Sequence, residues 1–438
     1  MGEEAKKKQG KGFRMVYLSA MALLLAAIIV CGWLGLRQMN ADNVKESAPI
    51  TSLPPRPTYI WPTDRPTQPG VSEESTEPGA TEEPTEPGAT EEPTEPSEAV
   101  DPDEVLFKLS EHSNPIYLVG SAAQAMMQTE DYGFVSDFLG KYQGKGRLDM
   151  SVPVELRYEV EHLPQGVQIL QSRFLVYERG TLVRTAEATD GGQMVQVDLL
   201  KTGTTYDYRV QILLSDGTEH ILNGQFQTAV SPRILSIEGL ANVRDFGGWT
   251  GLGGKIIRQG VMYRGSTRDG LEKPAFKLTE KGLEQMKSIL GIRVDMDLRG
   301  AGEDALGDDV PHIYIGAYQY SICFEDRGKQ AIARVFAQLA DPNNYPMYLH
   351  CTYGADRTGT VCYLLGAILG MSDRDLRLEY DLSALYYWYI CTPDMDEFVS
   401  KIAEYPGIDT KEKVENYLLS AGVTMEQIES IRDIFLED

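Results

Sequence analysis

The run His350-Cys351-Thr352-Tyr353-Gly354-Ala355-Asp356-Arg357-Thr358-Gly359 sets a thiol and a guanidinium six positions apart. Met347 to His350 reads as a short strand entering the run, and Val361, Leu364, Leu365 and Ile368 mark the apolar face of a helix leaving it. Backbone N–H groups of a tight loop, added to the positive end of a helix, form a cup for a phosphate dianion without a metal. Gly354 permits the tight turn, and Thr352, Tyr353, Gly354, Ala355, Thr358 and Gly359 are the expected lining. The planar fork of Arg357 suits two phosphate oxygens, which a lysine would hold less well.

A positive cup favours the thiolate of Cys351, the attacking form. The chemistry this predicts is in-line displacement. Cys351 takes the phosphoryl group, an acid protonates the leaving oxygen, and water then hydrolyses the thiophosphate. Thr358 is placed to donate a hydrogen bond to the sulfur, and His350 to brace the loop. A cysteine and an arginine at this spacing arise often by chance, and a buried structural cysteine is the ordinary alternative. The extended string between a strand and an apolar helix is far more specific.

Taken whole, the string resembles the loop of the tyrosine phosphatase superfamily, in particular the bacterial tyrosine and dual-specificity phosphatases. Asn242-Val-Arg244-Asp245-Phe-Gly247-Gly248 is similar to that family's N-terminal signature, Tyr263-Arg264-Gly-Ser266 to its following strand, and Asp297-Leu298-Arg299 with Glu303 to its Asp-Leu-Arg motif. Tyr380-Asp-Leu-Ser383 and Tyr417-Leu-Leu-Ser-Ala-Gly422 fit as well, so the likeness runs from about Ile234 to Phe435. It implies Cys351 and Arg357 as catalytic residues, with Asp356 as first choice of general acid and Asp297 as second. His350, Asn242, Arg244, Asp245 and Arg299 are implied as supports. Either aspartate could instead be a structural partner of Arg357 or Arg244, the Asn-x-Arg-Asp stretch a solvated turn, and Asp-Leu-Arg a strand-end ion pair. Where relatives active on phosphoinositides carry Lys, this chain has Ala355, which points to phosphotyrosine-type esters rather than inositol lipids.

The elements around the loop read as an α/β phosphatase domain over 233–438, a central sheet flanked by helices with a helical C-terminal part. Leu283, Met286 and Leu290 form a helix face closed by Gly291, after which Ile292, Val294, Met296 and Leu298 alternate as a half-buried strand. Ile332, Val335, Phe336 and Leu339 mark a helix before Pro342. Thr424 with Gln427 fits a capping box for a helix faced by Ile428, Ile431 and Phe435.

Ahead of this domain, residues 105–230 show short alternating strands such as Val152–Val160 and Tyr206–Leu214, the pattern of an all-β sandwich. Hairpin reversals are expected at Asp190-Gly191-Gly192 and Ser215-Asp216-Gly217. Leu200 to Val210 resembles the tyrosine corner of fibronectin type III domains, with Thr202 where those usually have Pro. The resemblance implies a spacer or a surface for a protein or glycan partner. Residues 37–104 form a disordered acidic Pro/Thr/Glu linker, in which the unit Thr76–Pro84 recurs from Thr85 to Pro93.

Met15 to Leu36 carries no charge until Arg37 and is long enough for one transmembrane helix. Lys6, Lys7, Lys8, Lys11 and Arg14 in the tail 1–14 predict a cytoplasmic N-terminus, hence a single-pass cell-membrane protein with its catalytic domain outside. The formal charge of -24 disfavours nucleic acid as a partner. Five scattered cysteines without C-x-x-C spacing argue against a zinc site or disulfide framework, and no metal or other cofactor is expected. A phosphorylated protein or small phosphate ester is the implied substrate. A phospho-ligand-binding module, a surface adhesin and a phosphoinositide phosphatase are the alternatives.

Overall fold

A computed structural model of the chain describes residues 104–112, 115–128, 151–270, 275–300, 302, 306–386 and 392–437. The expected tail, membrane helix and nearly all of the linker lie outside these residues, as do Glu303, Cys31 and Cys391. Among the described residues no helix is long and apolar enough to cross a membrane.

The N-terminal half contains β1 (Leu106–Leu109), α1 (Ser121–Gln128), β2 (Val154–His162), β3 (Ile169–Glu178), β4 (Thr181–Thr189), β5 (Met194–Val197), β6 (Thr205–Leu214) and β7 (Glu219–Gln227). The strands form two antiparallel sheets, in the orders β1-β2-β5 and β4-β3-β6-β7. Alternation explains why they pack face to face. In β6, Tyr206, Tyr208, Val210, Ile212 and Leu214 turn inward to meet Leu156, Tyr158, Phe174 and Val176, while Asp207 and Arg209 stay exposed. The Tyr206 hydroxyl accepts from Lys201 N at 2.8 Å, closing the corner at which the fibronectin resemblance placed it.

One expected reversal differs. Asp190-Gly191-Gly192 joins β4 to β5, which belong to different sheets, so it is a crossover rather than a hairpin turn. The β3–β4 hairpin turns instead on Arg179 and Gly180, at φ +50° and +80°. Ser215-Asp216-Gly217 does reverse β6 into β7.

The C-terminal half runs β8 (Arg244–Asp245), β9 (Met262–Gly265), α2 (Glu280–Glu284), β10 (Val294–Asp297), β11 (His312–Tyr314), α3 (Asp326–Leu339), β12 (Met347–His350), α4 (Asp356–Ile368), α5 (Asp373–Asp381), α6 (Thr392–Ile402), α7 (Thr410–Ala421) and α8 (Met425–Phe435). Its sheet has the order β11-β10-β12-β9-β8, parallel except for β8. The middle strand is β12, so Cys351 stands at the carboxyl end of the sheet's centre, where open α/β sheets take ligands. All four residues of β10 are buried, not alternate ones, because a central parallel strand is covered on both faces. Asp295 and Asp297 thereby enter the interior. The α4 helix is likewise buried nearly all round, since α5 and α7 pack against it as well as the sheet. The Thr424–Gln427 capping box forms as expected.

Packing does not break between 230 and 233. Val119, Ala123 and Met126, around and on α1, join the main α/β core, and Arg374 Nη2 donates to Met127 O at 2.6 Å. Leu199, at φ +55°, inserts from the β-sandwich among Val243, Tyr263 and Tyr348. Arg233 donates to Leu199 O and Leu200 O at 2.7 and 2.9 Å and pairs with Asp245 at 2.7 Å. Thr202 N donates to Gln259 Oε1 at 3.0 Å, and Gln259 Nε2 returns a bond to Thr202 O at 2.9 Å. That first bond accounts for the departure from the fibronectin pattern, because a proline has no N–H to give.

Candidate active site

Cys351 is buried at the mouth of β12, and the chain turns through Gly354, at φ +67°, before entering α4. A Cβ on Gly354 would come within 2.3 Å of Gly265 O, so both the conformation and the close approach require glycine here. The loop's carbonyls are held from beneath. Thr267 N donates to Thr352 O at 3.1 Å, Asn242 Nδ2 to Tyr353 O at 3.2 Å, and Arg264 Nη2 to Gly354 O. In a planar trans peptide the N–H points away from the C=O. Holding these three carbonyls down therefore turns the N–H groups of Tyr353, Gly354 and Ala355 to the opposite side, beside the first turn of α4. Such an arrangement is what an anion cup would require. Arg357 is half-buried and folds over the loop, its Nη2 donating to Thr352 Oγ1 at 3.1 Å.

The supports run deeper. Asn242, Arg244 and Asp245 are buried, not a solvated turn. Asn242, itself at φ +59°, also donates to Ser383 Oγ at 3.1 Å, and its Oδ1 accepts from Arg244. Asp245 ties local backbone instead, accepting from Gly247 N at 2.8 Å and Gly260 N at 2.7 Å, and it pairs with Arg233.

With this geometry in place, residues 235–437 match the profile of the tyrosine phosphatase family. The match spans a little under half of the chain and supports the tyrosine phosphatase superfamily. A protein of Cupriavidus necator provisionally named a tyrosine-protein phosphatase is 27% identical over 175 residues, 33% of this chain and 61% of that relative. The matched stretch thus spans less than two thirds of the relative's length. The core catalytic domain of the PP-IP phosphatase SIW14 from S. cerevisiae, solved with citrate, is 13% identical, covering 37% of this chain and 84% of its own, with a TM-score of 0.24.

Within this phosphatase-like domain the two candidate acids stand in different surroundings. Asp356 is half-buried at the start of α4, and its Oδ1 accepts from the Tyr320 hydroxyl at 2.5 Å. Asp297 is fully buried and pairs with Arg299 at 2.7 Å, with Arg268 Nη1 3.9 Å away. Burial pushes its carboxyl up, but His350 and Arg299 outweigh that and hold it below the ordinary aspartate value. Such a group keeps its charge and gives up no proton near neutrality, so Asp297 is an ion-pair partner. Asp356 meets the Tyr320 hydroxyl and Asp297 the Arg299 guanidinium, rather than Arg357 or Arg244. Arg299 spans Asp297 and Asp269 and belongs to this lower layer rather than to the cup.

His350 is fully buried, with Nε2 3.1 Å from Asp295 Oδ1, and its ring stacks on Tyr348. Asp295, His312 and His350 come together in space, although nothing in their spacing along the chain suggests it. The Arg268 guanidinium already lies among them, against Asp295 and 3.0 Å from His312 Nε2, and its charge opposes a divalent ion there. Thr358 Oγ1 is buried and makes no hydrogen bond, so the expected bond to sulfur is not formed in this state. Cys323 and Cys362 are buried free thiols, both pushed up to about 12 by burial, and so stay protonated.

Sequence reasoning passed over Thr267, Glu379, Tyr320 and the catalytic-loop contact of Arg264. The one available signal was a charge in a buried setting: Arg264 on an otherwise apolar strand, and Glu379 beside Tyr380-Asp-Leu-Ser383.

Proposed function

We propose that this chain is a cysteine-dependent phosphatase that hydrolyses phosphotyrosine-type monoesters through a cysteinyl-phosphate intermediate. The observation that supports the reading is that three successive loop carbonyls, of Thr352, Tyr353 and Gly354, are held by Thr267, Asn242 and Arg264, an arrangement that would free the N–H groups on the other side of each peptide, with Arg357, for a phosphate. Preorganised donors of this kind stabilise the charge of the transition state more than that of the ground state.

The Cys351 thiolate attacks phosphorus, forming an S–P bond as the P–O ester bond breaks. Asp356 gives its proton to the departing oxygen. A water then attacks phosphorus, the S–P bond breaks, and the Asp356 carboxylate receives the water's proton. Atoms and charge balance over the cycle, and the products are an alcohol or phenol and inorganic phosphate.

Ala355 supports the preference among esters. An inositol lipid carrying several phosphates gains from a second cation beside the arginine, and Ala355 supplies none. The charge pattern around Met15 to Leu36 supports anchoring in the cell membrane with the catalytic domain outside.

Acid quenching during turnover of a labelled aryl phosphate is expected to leave label on the peptide containing Cys351. Rapid turnover with no label on that peptide would contradict the reading. Replacing Ala355→Lys is expected to raise phosphoinositide turnover relative to aryl phosphate.

A further inference from the structure

Arg264 reaches the catalytic loop directly and Arg244 reaches it through Asn242, and one carboxylate joins the two arginines. Arg264 Nη1 sits 2.6 and 2.8 Å from the two oxygens of Glu379, while its Nη2 holds Gly354 O. Arg244 Nη2 lies 3.0 Å from Glu379 Oε1, while its Nη1 holds Asn242 Oδ1, and Asn242 in turn holds Tyr353 O. All three charged side chains are buried, with Arg264 and Arg244 at 0% and 1% exposure and Glu379 at 4%. Glu379 is thus the single point from which two of the three loop carbonyls are controlled.

We infer that Glu379 is a positioning residue of the phosphatase, setting the orientation of the Gly354 and Ala355 N–H donors through Arg264 and Arg244. This rests on the reading of the loop as a phosphate cup. The carboxylate touches neither substrate nor cysteine. Its effect is directional: a guanidinium clamped by one nitrogen presents the other in a fixed direction, and the peptide plane carries that direction across to the N–H on the far side. Its effect is also electrostatic. Two cations and one anion leave one positive charge beneath the cup, enough to favour phosphate without the mutual repulsion of two unpaired guanidiniums. Burial pushes the Glu379 carboxyl up, but Arg264 and then Arg244 bring it below the ordinary glutamate value, so the hub stays charged at neutral pH.

The test uses the full chain and two readouts, turnover of an aryl phosphate and calorimetric binding of inorganic phosphate, each per folded molecule as fixed by circular dichroism. Glu379→Gln keeps the size and removes the charge. Its expected result is kcat lower by about 100-fold, the order seen when one preorganised donor is lost, with phosphate binding weaker by about tenfold. A role confined to stability would lower the melting temperature and leave both readouts of the folded fraction in place. Should Glu379→Gln not fold, the double variant Glu379→Gln/Arg264→Met removes one charge of each sign and keeps the single positive charge, yet still releases Gly354 O. Weak phosphate binding by that variant supports the inference. Folded protein of either variant with kcat and phosphate affinity within about twofold of the parent overturns it. If the parent itself turns over no aryl phosphate, it is the phosphatase reading that fails, an outcome separate from these.

Discussion

The Tyr320 hydroxyl donates to Asp356 Oδ1 at 2.5 Å and lies 2.7 Å from the Tyr380 hydroxyl, so two phenols orient one carboxyl at the rim of the cup. Burial, with Tyr380 and Asp356 beside it, pushes the Tyr320 phenol far above its ordinary range, and it stays a donor at any working pH. Asp356→Asn is expected to lower kcat by about 100-fold or more, the usual contribution of a placed acid. The loss should be larger for phenyl phosphate than for a nitrophenyl ester, whose leaving group needs no proton. Tyr320→Phe should cost about tenfold in kcat with KM little changed, because orientation alone is lost. Equal losses on the two esters for Asp356→Asn would assign the acid elsewhere.

A second expectation concerns acid stability. The folded pKa of Asp297 lies below its unfolded value of 3.8, so its contribution is fully present above about pH 4 and is lost as pH falls through the folded value. Asp297→Asn leaves Arg299 and Arg268 short of a buried anion and should destabilise by about 3–5 kcal/mol at neutral pH. Urea unfolding along a pH series checks the sign, since the gap between parent and variant should narrow in acid. A gap that widens below about pH 4 would contradict the assignment of Asp297 as a permanently charged partner.

The third expectation is cooperative unfolding of the β-sandwich with the phosphatase domain. Arg233 joins carbonyls of the sandwich to Asp245, and Leu199 is buried in the neighbouring core. Thermal unfolding of the parent should give one transition. Arg233→Met leaves Asp245 buried without its cation and should cost about 3–5 kcal/mol, lowering that single transition. Two separate transitions in the parent, with only one moved by the variant, would show that the two halves are independent.

The catalytic loop was legible because its parts are contiguous: a strand, the thiol, the glycine, the arginine and an apolar helix follow one another from Met347 to Ile368. Thr424 and Gln427 were legible for the same reason, being three residues apart. Arg264 meets Gly354 across 90 positions and Glu379 across 115, distances at which spacing carries no geometry. Asp295 and Asp297 misled the reading of β10, because charged residues in a strand suggest a solvent face until the arginines that neutralise them inside are known. The Asp190-Gly191-Gly192 turn misled in another way. Its composition marks a reversal of the chain but not which sheet the next strand joins.

The most direct test of the account is hydrolysis of an aryl phosphate by Cys351→Ser, with inorganic phosphate binding measured on the same sample. The proposed cup consists of backbone N–H groups and Arg357, none of which the substitution removes, whereas the proposed nucleophile is lost. Cys351→Ser is expected to show no turnover above background and phosphate affinity within about threefold of the parent. Turnover by Cys351→Ser comparable to that of the parent would contradict it.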